Sequence, residues 1–192
     1  MKRITVFTFL FFSISFFFGQ MNPEKWKEDI NFLRENLSKK HYNLFFKREK
    51  PQFDKDLDNL ISKTKTISDL EIALKLQQII AKQGDTHTNI SWGKYLSNDK
   101  ILPLRFFYFE DGIYVTLTNQ KNKELLGKKI IKINGFDIKK VTDSISSLFV
   151  NENKAIYKSK SLTGLHSTQL LRFFGFAKND SIKITFQNSN LL

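Results

Sequence analysis

The sequence predicts an α+β protein in which an N-terminal helical unit precedes a small β domain that also carries helices. In the first hundred residues, apolar side chains recur every three or four positions, as they do on one face of an α-helix. Beyond residue 102, aromatic and β-branched runs replace that pattern and are joined by Asp-Gly and Asn-Gly pairs, which are strong hairpin signals. We therefore expect the β domain to form a small barrel or sandwich.

The composition is that of a folded protein. The 192 residues suffice for one domain or two small ones, and 41% hydrophobic with 14% aromatic residues is enough to bury a core. The absence of cysteine excludes disulfides, thiolate nucleophiles and Cys-based metal sites. The net charge is +12, but the cations are mostly lysines scattered among acids, with no basic stripe. We expect a lysine-rich solvated surface and no nucleic-acid partner.

Residues 1–20 are expected to be a secretory signal peptide. Two basic residues precede an apolar run from Ile4 to Phe18, and Gly19 follows as the small residue before cleavage. The run is shorter than the roughly 20 residues that span a bilayer. We therefore expect a periplasmic or extracellular protein with no membrane span after cleavage. Retention as an N-terminal anchor is the alternative, because Phe17 is a poor residue at its position in the cleavage signal.

The helical domain, residues 21–100, is expected to begin with three helices. Their entry signals are Asn22-Pro23-Glu24, then Pro51, then the capping box Ser68-Asp69-Leu70-Glu71. The third helix is expected to end near Gln83-Gly84, where glycine can adopt the left-handed conformation. The apolar stripes that should form the core are Trp26, Ile30, Leu33 and Leu37, then Phe53, Leu57, Leu60 and Ile61, then Leu70, Leu74, Leu76, Ile79 and Ile80.

The β domain, residues 101–187, is expected to begin with two hairpins. The first turns at Glu110-Asp111-Gly112, and the second turns at Asn134-Gly135, which supplies the two positive φ angles of a type I′ turn. Their strands are residues 103–109 with 113–118, and residues 129–133 with 136–138.

The rest of the β domain is expected to be helical until its last strand. Residues 139–149 are amphipathic, and residues 153–172 read as helix with a break at Thr163-Gly164. Residues 181–186 alternate cleanly between apolar and polar side chains and are expected to form the closing strand. The final residues, 188–192, resemble a truncated tail.

The stretch Gly84-Asp85-Thr86-His87-Thr88 concentrates polar side chains between two apolar segments and holds one of only three histidines. A neutral imidazole can take the proton of an attacking hydroxyl at neutral pH, and Asp85 or a neighbouring hydroxyl could orient it. The residues alone favour the plainer interpretation, in which a hydrogen-bonded histidine closes the corner between a helix and a strand.

The other histidines are expected to be structural. His41 is expected at a helix C-terminus or in packing, and His166 is expected to be structural or exposed because it has no acidic neighbour within four residues. Three dispersed histidines, with neither cysteine nor a His-x-x-x-His pair, predict no metal site and no cofactor. A serine in a Gly-x-Ser-x-Gly arrangement is absent from the sequence.

The order Leu126-Gly127-Lys128-Lys129-Ile130, Ile133-Asn134-Gly135 and Ile138 resembles a segment of the PDZ-like domains of bacterial proteases. Together with the upstream helices and residues 84–88, residues 24–187 resemble the N-terminal part of a secreted tail-specific (C-terminal processing) serine peptidase of the tricorn-like branch. The resemblance implies a PDZ-like fold for the β domain and hydrolysis of peptide bonds by a serine and a histidine.

The resemblance implies that His87 is the general base, with Thr86 as the hydroxyl residue that precedes it and Asp85 as its acidic neighbour. In that family the nucleophile, the oxyanion-hole glycines and the acidic partner all lie after the PDZ-like domain. A base without a nucleophile or an oxyanion hole has little to catalyse, so these 192 residues are expected to be inactive alone.

The resemblance also implies a groove that binds peptide or protein C-termini between a strand and a helix. Two alternatives stay open: the aromatic strand residues only form core and edge, or the whole chain is a non-catalytic exported peptide-binding module. The sequence predicts no particular oligomeric state. The residues implied to bind peptide are Leu104, Arg105, Phe106, Phe107 and Tyr108 on the strand, with Val141 and Ile145 on the helix at 139–149.

Overall fold

The computed structural model describes residues 21–96 and 100–187, so the expected leader and the expected tail lie outside the described residues. The fold is α+β, as predicted: three helices come first, and an antiparallel sheet of five strands with further helices follows. Among the described residues, no helix combines the length and the apolar character needed to cross a bilayer.

The helical unit consists of α1 (Pro23–Lys40), α2 (Lys50–Ile61) and α3 (Asp69–Ala81), followed by a short 3-10 helix at Trp92–Tyr95. The predicted entry signals of α1 and α3 are confirmed. The side chain of Asn22 accepts a hydrogen bond from the N–H of Glu24, and Ser68 and Glu71 form both bonds of a capping box. The main hydrophobic cluster of this unit contains the buried residues Trp26, Ile30, Phe53, Leu57, Leu60, Ile72, Ala73, Leu76, Ile79 and Ile80.

The sheet consists of β1 (Leu104–Tyr108), β2 (Ile113–Thr118), β3 (Lys129–Ile133), β4 (Phe136–Asp137) and β5 (Ile184–Phe186). All pairs are antiparallel; the order is β1-β2-β3-β4, and β5 pairs with β3. Because β1 pairs only with β2 among these strands, it lies at the edge of the sheet.

Both predicted hairpin turns are present. Asn134 has φ 47° and Gly135 has φ 85°, the positive pair that a type I′ turn requires. β4 is shorter than predicted because the side chain of Asp137 accepts a hydrogen bond from Lys139 N–H and caps the next helix. β5 is also shorter than predicted, because the main chain of Lys183 is bonded to Asn134 instead of to a strand.

Three α-helices and a 3-10 helix at Gln120–Leu125 complete the fold; the α-helices are α4 (Ile138–Ser146), α5 (Lys154–Lys160) and α6 (Thr168–Phe173). The predicted break at Thr163-Gly164 is confirmed, since it lies between α5 and α6. The core between the sheet and these helices includes Leu104, Ile113, Val115, Ile130, Ile133, Val141, Ile145, Leu165, Leu171 and Phe176.

The helical unit and the β domain share a buried contact. Leu74 of α3 packs in one cluster with Leu148 and Leu170, which belong to the β domain. Beside this cluster, the buried Gln77 amide donates to the carbonyl of Leu148 at 2.7 Å and accepts from Ile90 N–H at 2.7 Å. The segment that follows residues 84–88 is therefore fixed to both parts of the fold.

Candidate functional site

Glycine at position 84 allows the chain to leave α3 sharply. Gly84 has φ +88°, and its N–H donates to the carbonyl of Ala81 at 3.1 Å. A Cβ at this position would lie 2.5 Å from the Lys47 side chain and 3.1 Å from the ring of Phe46. A side chain would therefore be strained both by the backbone angle and by its neighbours.

The carboxylate of Asp85 is the centre of the loop. One oxygen accepts the main-chain N–H of His87 at 3.0 Å. The other accepts from the Thr88 hydroxyl and contacts Nε2 of His41 at 3.0 Å. The Thr88 hydroxyl, the His87 N–H and the His41 ring together hold the pKa of this carboxyl well below its usual range. We call these four residues, His41, Asp85, His87 and Thr88, the Asp85 cluster.

The His41 ring has a defined proton position. The N–H of Asn43 donates to its Nδ1 at 3.1 Å, so Nδ1 is an acceptor, and the ring hydrogen lies on Nε2 and is donated to Asp85. Only 18% of the His41 side chain and 21% of the Asp85 side chain are exposed. With both ring nitrogens engaged, His41 has no free nitrogen to act as a base.

His87 differs from His41 in this respect. Its side chain is exposed, and within residues 21–96 and 100–187 its imidazole makes no hydrogen bond. The contact from Asp85 reaches the main chain of His87 and not its ring. Thr86 is also exposed, and its carbonyl accepts a hydrogen bond from the Asn89 amide at 2.9 Å. The loop is thus held through its main chain while the His87 ring faces outward.

A groove lies beside the edge strand β1. Its cavity has a volume of about 460 Å³ and is bounded by β1 on one side and by α5 with the turn that follows it on the other. At one end of the groove, Nη1 of Arg105 lies 3.4 Å from Nε2 of His166. Nζ of Lys158 lies 5.2 Å from the centre of the Tyr108 ring. The groove therefore combines aromatic and aliphatic walls with cationic groups. Its lining includes Arg105, Phe106, Tyr108, Lys158, Leu162 and His166.

The prediction that the helix at residues 139–149 forms one wall of this groove is wrong. Val141 and Ile145 are both 0% exposed and lie in the core, because the apolar face of α4 packs against the sheet. The helix beside β1 is α5, which is outside the predicted stretch 139–149. On β1 itself, Leu104 is buried toward the core, and Phe107 is 55% exposed and lines the groove.

The bond from His41 to Asp85 had no signal in the sequence, because it joins positions 44 residues apart. The end of a helix was the expected place for His41, and it is indeed the C-cap of α1. Lys158 and His166 were also absent from the predicted binding residues, and only the tertiary structure brings them to β1. Within the described ranges, no three histidine, aspartate or glutamate side chains converge as metal ligands would.

Comparison with known proteins finds similarity only at the level of structure. No protein-family model matches the chain, and no curated protein matches it. A solved structure of mature CPAF, a chlamydial serine protease, in complex with lactacystin superposes with a TM-score of 0.59 at 15% identity. The match covers 87% of this chain and 33% of that one.

A serine-to-alanine variant of CPAF superposes with a TM-score of 0.52 at 17% identity, covering 76% of this chain and 28% of that one. The fold of the chain is thus similar to that of part of CPAF, and the chain spans about a third or less of the length of the solved chains that it matches.

Proposed function

We propose that this chain is the N-terminal part of an exported serine peptidase, in which His87 is the general base for a serine outside residues 1–192. The proposal rests on the environment of His87. Its ring is exposed and makes no hydrogen bond within the described ranges, while its main-chain N–H is bonded to Asp85. The similarity to CPAF, a serine protease, supports the same reaction class. The resemblance to tail-specific peptidases of the tricorn-like branch supports the order of the parts.

The chemistry requires a ring nitrogen with no other partner. A neutral imidazole accepts the proton of the serine hydroxyl as the serine oxygen attacks the scissile carbonyl, and it then donates that proton to the leaving amine. The Asp85 carboxylate is committed to His41, Thr88 and the main chain of His87. We therefore assign Asp85 to holding the loop, and the acidic group that orients the ring would come with the serine.

The 192 residues alone are proposed to be inactive. Within residues 21–96 and 100–187, no serine hydroxyl is hydrogen-bonded to the His87 ring. The nucleophile and the oxyanion hole would have to be brought to His87 from elsewhere. Export is proposed from the sequence alone, on the basic start and apolar run of residues 1–20.

The second candidate is a non-catalytic exported module that binds peptides, and the groove beside β1 favours it. An extended peptide can add to the edge of a sheet by main-chain hydrogen bonds, with alternate side chains entering the groove. β1 is such an edge, and Arg105 lies at one end of the cavity, where it can attract a terminal carboxylate. The expected ligands are peptide or protein C-termini.

The test uses the protein encoded by the complete reading frame that contains these residues. His87→Ala should lower kcat for peptide hydrolysis by a thousandfold or more, because the base acts only in the transition state, and should leave peptide affinity within about twofold. Gln52→Ala, an exposed position on α2, is the control and should keep full turnover. Retained turnover in His87→Ala would refute the role of base. Peptide binding without turnover in any form would favour the second candidate.

A further inference from the structure

The Asp85 cluster joins two segments that are distant in sequence. His41 follows the last turn of α1, and Asp85 follows α3, so their bond of 3.0 Å ties the end of one helix to the loop after another. Both side chains are about four-fifths covered, at 18% and 21% exposed. Partial burial strengthens such a bond relative to one at the open surface.

The two oxygens of the Asp85 carboxylate have different hydrogen-bond partners. Oδ2 faces His41 and Thr88, while Oδ1 accepts the N–H of His87. The carboxylate therefore carries a constraint from His41 to the main chain of His87. A charge-assisted hydrogen bond of this kind is stronger than a neutral one, so the constraint is effective while Asp85 is ionised.

We propose that His41 is a positioning residue for His87, acting through Asp85 and not on the substrate. This inference rests on the proposed function of His87 as the base. His41 fixes the carboxylate by donating from Nε2, and Asn43 keeps that hydrogen on Nε2 by donating to Nδ1. The main chain at position 87 is then held relative to α1. The exposed ring can still rotate about its side-chain bonds, but the position of its Cα is fixed. A base displaced by about 1 Å costs on the order of a hundredfold in rate, so holding it contributes directly to turnover.

The structural part of the proposal is tested in the 192-residue chain by amide hydrogen exchange at His87. His41→Ala removes the donor to Asp85 and should speed exchange of the His87 N–H about tenfold. His41→Gln places an amide N–H where Nε2 was and should keep exchange within about threefold of the wild type. His166→Ala, a histidine in the groove, is the control and should leave this amide unchanged. Equal exchange in the wild type and His41→Ala would overturn the proposal.

The catalytic part is tested in the protein from the complete reading frame. His41→Ala should lower kcat about tenfold to a hundredfold with KM nearly constant, and His41→Gln should restore most of the loss. No rescue by glutamine, or a loss confined to KM, would contradict a positioning role. The proposed function fails separately: if His87→Ala retains turnover, the base is another group, whatever the exchange experiment shows for the Asp85 cluster.

Discussion

Gln77→Met is the substitution whose cost follows most directly from the structure. The Gln77 side chain is 1% exposed, and its amide bonds the carbonyl of Leu148 and the N–H of Ile90, each at 2.7 Å. Methionine keeps the unbranched shape and removes these two bonds, together with a longer one from Nε2 of Gln77 to Oδ1 of Asn89 at 3.4 Å. Each buried polar group left without a partner costs about 1–3 kcal/mol, and the apolar burial of methionine offsets part of that sum. We expect the free energy of unfolding to fall by about 2–4 kcal/mol.

The assay is urea denaturation followed by tryptophan fluorescence, since Trp26 and Trp92 both pack against the core of the helical unit. The neighbouring Gln78 provides a matched control, because its amide donates to the Ser147 hydroxyl at 2.7 Å but lies at the surface. Gln78→Met should cost less than about 1 kcal/mol. If Gln77→Met costs no more than Gln78→Met, the buried amide does not join the two parts of the fold as we describe.

Three other predictions concern the loop and the groove. Because the folded-state pKa of Asp85 is lowered, its stabilisation is complete above the ordinary 3.8 and is lost only as the pH falls through the lower value. In the wild type, protection of the His87 amide from hydrogen exchange should therefore be constant from about pH 7 to about pH 4. In Asp85→Asn this protection should be weak at every pH. Loss of protection above pH 4 in the wild type would contradict this. Peptides with free C-termini should bind with micromolar Kd in calorimetry, and Arg105→Ala should raise that Kd about tenfold. Equal binding of amidated peptides would argue against carboxylate recognition. Gly84→Ala should cost about 1–2 kcal/mol by denaturation, and Gly93→Ala, at an unstrained position with open space, should cost far less; equal costs would contradict the strain at Gly84.

Elements with local causes were predictable from the sequence. The capping box at Ser68 starts α3 because both of its hydrogen bonds lie within four residues. Asn134-Gly135 forms its turn because these two residues tolerate positive φ, and Gly84 ends the helical segment for the same reason. In each case the residue types alone carry the physical cause.

Contacts between distant segments were not predictable in this way. The apolar stripe with Val141 and Ile145 indicates that one face of α4 is buried, but the pattern is identical whether a sheet or a bound peptide covers that face. In the structure the sheet covers that face of α4, and α5 is the helix that lies beside β1. The partner of Asp85 is likewise a histidine 44 positions away, which no local pattern reveals. The catalytic role of His87 stays a prediction, since it depends on a serine beyond these residues.

Labelling with a fluorophosphonate probe shows whether His87 activates a serine, because the probe reacts with a serine that a base has activated. We predict no labelling of the 192-residue chain. The protein from the complete reading frame should be labelled at one serine, and His87→Ala should slow that labelling by a hundredfold or more. Stoichiometric labelling of the 192-residue chain, or an unchanged rate in His87→Ala, would show that His87 is not the base for a serine outside these residues.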